Sequence, residues 1–204
     1  IPFAQAPSGG PQESVALLRQ VDDVCQALFE NCFKVLDGPA APTMIVQELN
    51  NEVILYLNYD NPKCMGENYE EEDISISSTY KKGPDDTDYN KYKFEGYQIY
   101  QLVDANASVS DIGDVTKARL VAQCDLENYY DAEKTLPIAT LVSFETNSAT
   151  GILSGEVKVQ GANKGIQHVF RVTNDQFASG TNTRLVNNRE YYFICIAYAH
   201  NRYK

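Results

Sequence analysis

The chain has 204 residues, a formal net charge of −11, five Cys, fourteen Tyr and no Trp. At 43% hydrophobic and 22% charged residues it can bury a core, which excludes wholesale disorder and suits one generous domain, or one domain with an extension. So acidic a chain repels phosphate backbones, which sets nucleic acid aside as a partner, and no stretch reaches the ~18 apolar residues of a membrane-spanning helix.

Residues 1–12 are rich in Pro and Gly and read as an extended lead-in. They have neither the charged nor the apolar region of a signal peptide. From residue 13 to 36, Val15, Leu18, Val21, Cys25, Leu28, Phe29 and Cys32 recur at spacings of three and four, the mark of an amphipathic helix. Gly38-Pro39 ends it, with Gly38 as the C′ residue and Pro39 unable to continue.

After Gly38 the period drops to two. Residues 43–49 and 53–59 are strand-like and meet at an Asn50-Asn51 hairpin turn. Residues 60–91 form a long acidic insertion containing Glu70-Glu71-Glu72-Asp73 and Asp85-Asp86-Thr87-Asp88. Further strands are expected at 92–102, 117–126, 165–173 and 190–198, with short candidates at 140–145 and 155–159. The domain boundaries are therefore 1–38 for the lead-in and helix and 39–204 for a β-sandwich.

Cys25 and Cys32 lie two turns apart on the helix, roughly 10 Å along its axis, too far for a disulfide within it. Either one could reach Cys64. Cys124 and Cys195 read as buried small hydrophobes. No paired Cys/His spacing suggests structural zinc.

The run Leu185-Val186-Asn187-Asn188-Arg189-Glu190-Tyr191 places a Leu six residues before a Tyr, followed by alternation through Phe193, Cys195 and Ala197. It resembles the E–F corner and strand F of fibronectin type III domains, where the Tyr hydroxyl caps the corner. The resemblance implies a mainly β, fibronectin type III/immunoglobulin-like sandwich. The Ala40-Ala41-Pro42 lead-in would precede strand A, 53–59 would be strand B and Gly96-Tyr97-Gln98-Ile99-Tyr100 strand C. With no Trp for strand B, Tyr56 or Leu57 is expected to fill that volume. Over nearly the whole chain, segments such as ALFENCFKVLDGPAAP, YKFEGYQIYQL, ARLVAQCDLEN, GIQHVFRVTNDQFASG and LVNNREYYFICIAYAHNRYK resemble very large Bacteroidota surface proteins that end in a type IX secretion sorting domain. That likeness implies a secreted or cell-surface location and no particular activity.

Chemistry is sparse. His168 and His200 have no neighbouring Ser, Cys or Asp at a catalytic spacing, and no nucleotide, hydrolase or zinc-protease motif occurs. No enzyme is expected and no cofactor, with calcium the one metal to weigh. Asp86, Asp88 and Asn90 alternate like the opening of a calcium loop, but Lys91 stands where an EF-hand needs Gly and Tyr97 where it needs Glu. A solvated acidic loop is the plainer reading. Tyr129 and Tyr130 are the most ligand-like aromatic pair and would serve a carbohydrate-binding accessory domain, the alternative function.

The last strand is anomalous. One face carries Tyr191, Phe193, Cys195 and Ala197, the other Tyr192, Ile194, Ile196 and Tyr198. A sheet facing water should alternate apolar with polar, so the second face needs a cover, either the helix or a neighbouring subunit. Only residues 199–204 follow, too few for the seventh strand of such a sandwich. The last strand is then missing because the chain is a fragment, or it is supplied from elsewhere by strand addition. Residues 1–6 are a candidate donor, in cis or into the next copy. The expected role is a non-catalytic structural or interaction module, assembling with other subunits or neighbouring domains, even into filaments, through Tyr192, Ile194, Ile196 and Tyr198.

Overall fold

Apolar-rich runs separated by polar turn segments fold as antiparallel strands. The computed structural model describes residues 11–30, 36–59, 66–74, 76, 88–146 and 153–202. Helix α1 spans Pro11–Glu30 and is followed by β1 (Thr43–Leu49), β2 (Glu52–Asn58), β3 (Glu70–Glu72), β4 (Lys91–Leu102) and β5 (Ala118–Asp125). The remaining strands are β6 (Thr140–Thr146), β7 (Leu153–Gln160), β8 (Val169–Val172) and β9 (Tyr192–His200). The fold is mainly β, and its two principal sheets form a β-sandwich.

One sheet runs β1-β2-β8. In the other, β4 is central. It pairs with β9 from Lys93 to Leu102 along one edge, and with β3 and then β5 along the opposite edge. The sheets face each other across one core, in which Leu55, Leu57, Phe170 and Val172 meet Phe94, Tyr97, Ile99, Cys124 and Cys195. A separate β6–β7 hairpin completes the described strands.

Strand parity decides what fills the core. Tyr56 pairs with Ile45 on the outer face, where its hydroxyl donates to Gln47 at 2.9 Å. Leu57 points inward and is 6% exposed. Of the two residues expected to fill the volume of the missing Trp, Leu57 is the one in the core, and the aromatic volume beside it comes from β4, where Tyr97 is fully buried with the Phe94 ring 4.9 Å away. The Tyr97 hydroxyl donates to Glu67 at 2.9 Å, so this buried phenol has an acceptor.

The acidic insertion is partly built into the sheet. Glu70–Glu72 form β3 against Lys91–Lys93, because Lys91 and Lys93 both pair with the Glu70 carboxylate and Tyr69 is buried beside them. Cys32 and Cys64 lie outside the described residues; Cys25 is exposed and free, and Cys124 and Cys195 are free and buried. Burial pushes the Cys195 thiol up to about 12, so it behaves as a core hydrophobe.

Among the described side chains of the helix, the apolar ones expected to cover β9 stay largely exposed. Val15, Leu18 and Phe29 remain 52%, 39% and 70% exposed. Part of the outer face of β9 is covered from another direction, by the segment after β5. Tyr130 stacks edge-on against His200 with ring centroids 6.1 Å apart, and Arg202 donates to the Tyr129 carbonyl.

The turn into β9 is tied by Tyr191, whose hydroxyl accepts the Val186 backbone N–H at 2.8 Å while Leu185 is 2% exposed. Tyr191→Phe keeps the ring and leaves that amide without its acceptor. It should lower stability by about 1 kcal/mol in urea unfolding, with the same spectrum for the folded state; an unchanged midpoint would show that the bond contributes nothing.

Candidate functional site

The main concavity lies at the open side of the sandwich. A cleft of about 1080 Å³ runs between β1 and the start of β9, lined by Met44, Val46, Val53, Leu185, Tyr191 and Phe193 among others. Its origin lies in strand order. β1 is the last strand of its sheet, and β9, among the described residues, pairs only with β4. Among the described residues, both sheets therefore end here with no further strand between them.

Register shows how unusual the exposure is. Val46 pairs with Leu55 and Met44 with Leu57, so all four side chains share the inner face of their sheet. Leu55 is fully buried, whereas Val46 is 46% exposed. This inward-facing valine is exposed because, among the described residues, no strand stands opposite it. A strand laid along β9 would stand there.

The closed end of the cleft is polar and held rigidly. The Asn51 backbone N–H donates to Asn187 Oδ1 at 2.8 Å, and Asn187 donates back to Asn50 at 2.8 Å, clasping the β1–β2 turn to the corner before β9. Asn51 and Asn188 both adopt positive φ, 58° and 61°, which Asn tolerates better than other side chains. The rim is acidic: Glu48, Glu52, Asp104 and Glu190 surround a single Arg189. Arg189 is committed to Asp175, 3.3 Å away, and lies over the Tyr191 ring. Glu52 is paired with Arg171.

Of the residues read from the sequence as the interaction edge, Tyr192, Ile194, Ile196 and Tyr198 share the outer face and are half-buried. Tyr198 lies over Gly96, where a Cβ would fall 2.7 Å from its hydroxyl. Tyr192 donates to Glu190 at 2.7 Å. The open feature at β9 is its backbone edge with the inward side of β1. The cue in the sequence was Met44 and Val46, apolar at alternate positions, which look like ordinary core residues until strand order is known.

The other candidates are placed apart from the cleft. Asp88 pairs with Lys91 at 3.3 Å, Asn90 is 3% exposed, and Asp86 lies outside the described residues. Lys91 also pairs with Glu70, so lysine supplies the local cation. Among the described residues no three His, Cys, Asp or Glu side chains converge as metal ligands would. The Tyr129 ring has the Lys134 ammonium over it at 5.7 Å, and the Tyr130 ring is engaged by His200 and Arg202. The two rings do not form one open stacking platform.

A buried polar cluster fastens the segment after β5 to the outer face of the β4 sheet. Asp125 is 2% exposed and accepts the backbone N–H groups of Ala162 and Asn163. Glu95, 4% exposed, accepts from Asn128 Nδ2 at 2.8 Å. Its other oxygen and the Asn128 side-chain oxygen are buried without a partner. Burial pushes the Glu95 carboxyl up to about 8, with the Asn128 donor and the Arg202 charge opposing and the Asp125 charge adding. The neutral acid is thus the buried form, and its proton gives the pair a further donor. Burial also pulls His200 down to about 4, with Arg202 assisting.

Comparison with known protein families, with curated proteins and with solved structures gave no match.

The two titrations oppose each other. Unfolded Glu95 loses its proton near 4.5 and the folded chain keeps it to about 8, so stability falls as pH rises through that window. Unfolded His200 gains a proton near 6.5 and the folded chain resists until about 4, so stability falls as pH drops through that range. Between 6.5 and 8 only the Glu95 slope remains. Urea unfolding across this window should show a loss of about 1.4 kcal/mol per pH unit that disappears in Glu95→Gln; a slope kept by the variant would place it on other groups.

Proposed function

We propose that this chain is a non-catalytic assembly module of a secreted or cell-surface protein, related in plan to fibronectin type III domains, that joins other protein subunits through the open edge of β9. The observation that carries this reading is the contrast on the inner face of β1, with Val46 half wet beside a fully buried Leu55. An unpaired strand edge offers a row of backbone donors and acceptors. A cleft beside it offers sites for alternate side chains. Together they accept an extended segment as an added strand, which gives affinity through main-chain bonds and specificity through the cleft.

The strand order supports the kinship. β1-β2-β8 facing β5-β4-β9 is the arrangement of strands A, B and E against C′, C and F, with the seventh position beside F unoccupied among the described residues. The Tyr191 bond to the upstream backbone is the corner expected at the start of strand F. Secretion through the type IX route rests on the likeness to Bacteroidota surface proteins. A non-catalytic role is supported by how the buried titratable groups are used. Glu95, Asp125, Tyr198 and His200 face each other or backbone under a covering segment, outside the cleft.

The purified chain should associate as its concentration rises from the micromolar range, read by sedimentation velocity. Val46→Lys places a charge in the cleft at a position already 46% exposed, so the fold should survive and association weaken at least tenfold. A chain that stays monomeric, with the β9 edge amides exchanging freely at every concentration, would overturn the reading.

A further inference from the structure

We infer that the strand accepted at β9 is the segment of residues 1–6 from a second copy of this chain, joined head to tail. The inference rests on the open-edge reading above and names its occupant.

Three features of this segment fit the cleft. The first is charge. The rim carries Glu48, Asp104 and Glu190, with Glu52 paired to Arg171, around an Arg189 already committed to Asp175. An incoming strand with carboxylates would be repelled there. Residues 1–12, IPFAQAPSGGPQ, contain no acidic side chain, in a protein of net charge −11.

The second is the pattern of side chains. In an extended strand, residues two apart share a face. Ile1, Phe3 and Gln5 fall on one face and Pro2, Ala4 and Ala6 on the other. The first face supplies two large apolar groups for the space beside Val46, Leu185 and Phe193. The second is small, as suits the outer side of an edge strand.

The third is the phase of the prolines. Backbone N–H groups of residues two apart also point to the same edge. In the strand direction that turns Ile1 and Phe3 into the cleft with their backbones toward β9, Pro2 points its missing N–H away from the ladder, where edge strands tolerate proline. Pro7 has the opposite phase and would present no donor to β9, which ends the pairing at Ala6. Six residues span about 20 Å, enough for roughly two-thirds of the nine-residue β9.

Donor and acceptor are different surfaces, so the contact is heterologous. Such a contact repeats into open chains unless its rotation happens to close a ring. A donor folded back on its own copy would instead give a closed monomer.

The experiment compares the full chain with three variants: deletion of residues 1–8, Phe3→Glu and Val46→Lys. Sedimentation velocity and hydrogen exchange at the β9 amides are read for each, and the synthetic peptide IPFAQA is added to the deletion variant. The inference expects concentration-dependent oligomers of the full chain, at least tenfold weaker association in all three variants, and peptide-dependent protection of β9 in the deletion variant. The far-UV spectrum and urea midpoint of Phe3→Glu are compared with those of the full chain, so that a loss of association with both unchanged is assigned to the contact and not to misfolding. If the deletion and Phe3→Glu still associate while Val46→Lys does not, another strand is the occupant and only the donor assignment falls. A monomeric full chain whose β9 amides are protected, and lose protection on deletion, shows pairing in cis and overturns the second-copy assignment. If Val46→Lys associates like the full chain, or the full chain is an unprotected monomer, the open-edge reading falls as well.

Discussion

Strand β4 is the member on which everything else is hung. It is paired along both edges, and from Phe94 to Ile99 every residue is buried. A strand buried on both faces must find partners for polar groups on the side away from the main core. Here Gln98 receives a bond from Tyr100 and donates to Gln123, and Glu95 takes Asn128, while Gln101, on the core face opposite Phe193, donates to Asp175. Each bond recruits a neighbouring element: β5, the loop after β8, and the segment that covers the outer face. Gly96 belongs to the same constraint. A Cβ there would fall 2.2 Å from the Cys124 carbonyl oxygen and under 3 Å from Tyr198, so glycine lets β5 and the Tyr198 ring close over β4 together.

The asymmetry of the molecule follows from β4 being central. On the β5 side, β3 and β5 complete the edge and the covering segment is fastened through Asp125 and Glu95. On the β9 side, among the described residues, the sheet stops after one strand and the facing sheet stops at β1. Leu55 and Val46 lie on adjacent strands and the same face, yet differ by nearly half their surface. Exposing a valine forgoes a stabilisation of about 1–2 kcal/mol, a recoverable gain for any strand that enters. The Asn50, Asn51 and Asn187 clasp holds the end of the cleft in shape, so an incoming strand meets a largely formed site.

Much of the sandwich was legible because short apolar, β-branched and aromatic runs are separated by clear turn residues. Thr43–Leu49, Glu52–Asn58 and Lys91–Leu102 appear within a residue or two of where period-two patterning puts them, and the Asn50-Asn51 turn joins the first pair. What the pattern could not reveal was facing. Tyr56 and Leu57 are adjacent and both apolar, and only register sends one outward and the other into the core. Glu70–Glu72 look like solvent-exposed charge, and become a strand because two lysines twenty residues away neutralise the edge. The cleft was legible only in part. The shortage of strands could be counted, but Met44 and Val46 looked like core positions, and it takes the strand order to show that one of them has nothing opposite it.

Charge then limits what can occupy that position. At −11, two copies repel over most of their surfaces, and screening shortens that repulsion to about 8 Å at physiological salt. Open strand edges are an aggregation hazard, and proteins commonly guard them with charge. Glu48, Asp104 and Glu190 stand along this rim and would disfavour a strand as acidic as β3. An uncharged segment of alternating bulky and small residues passes the guard; β3, with three consecutive glutamates, does not. On the proposed assembly, the acidity that seems at first to oppose self-association would instead filter it, favouring an incoming strand without carboxylates.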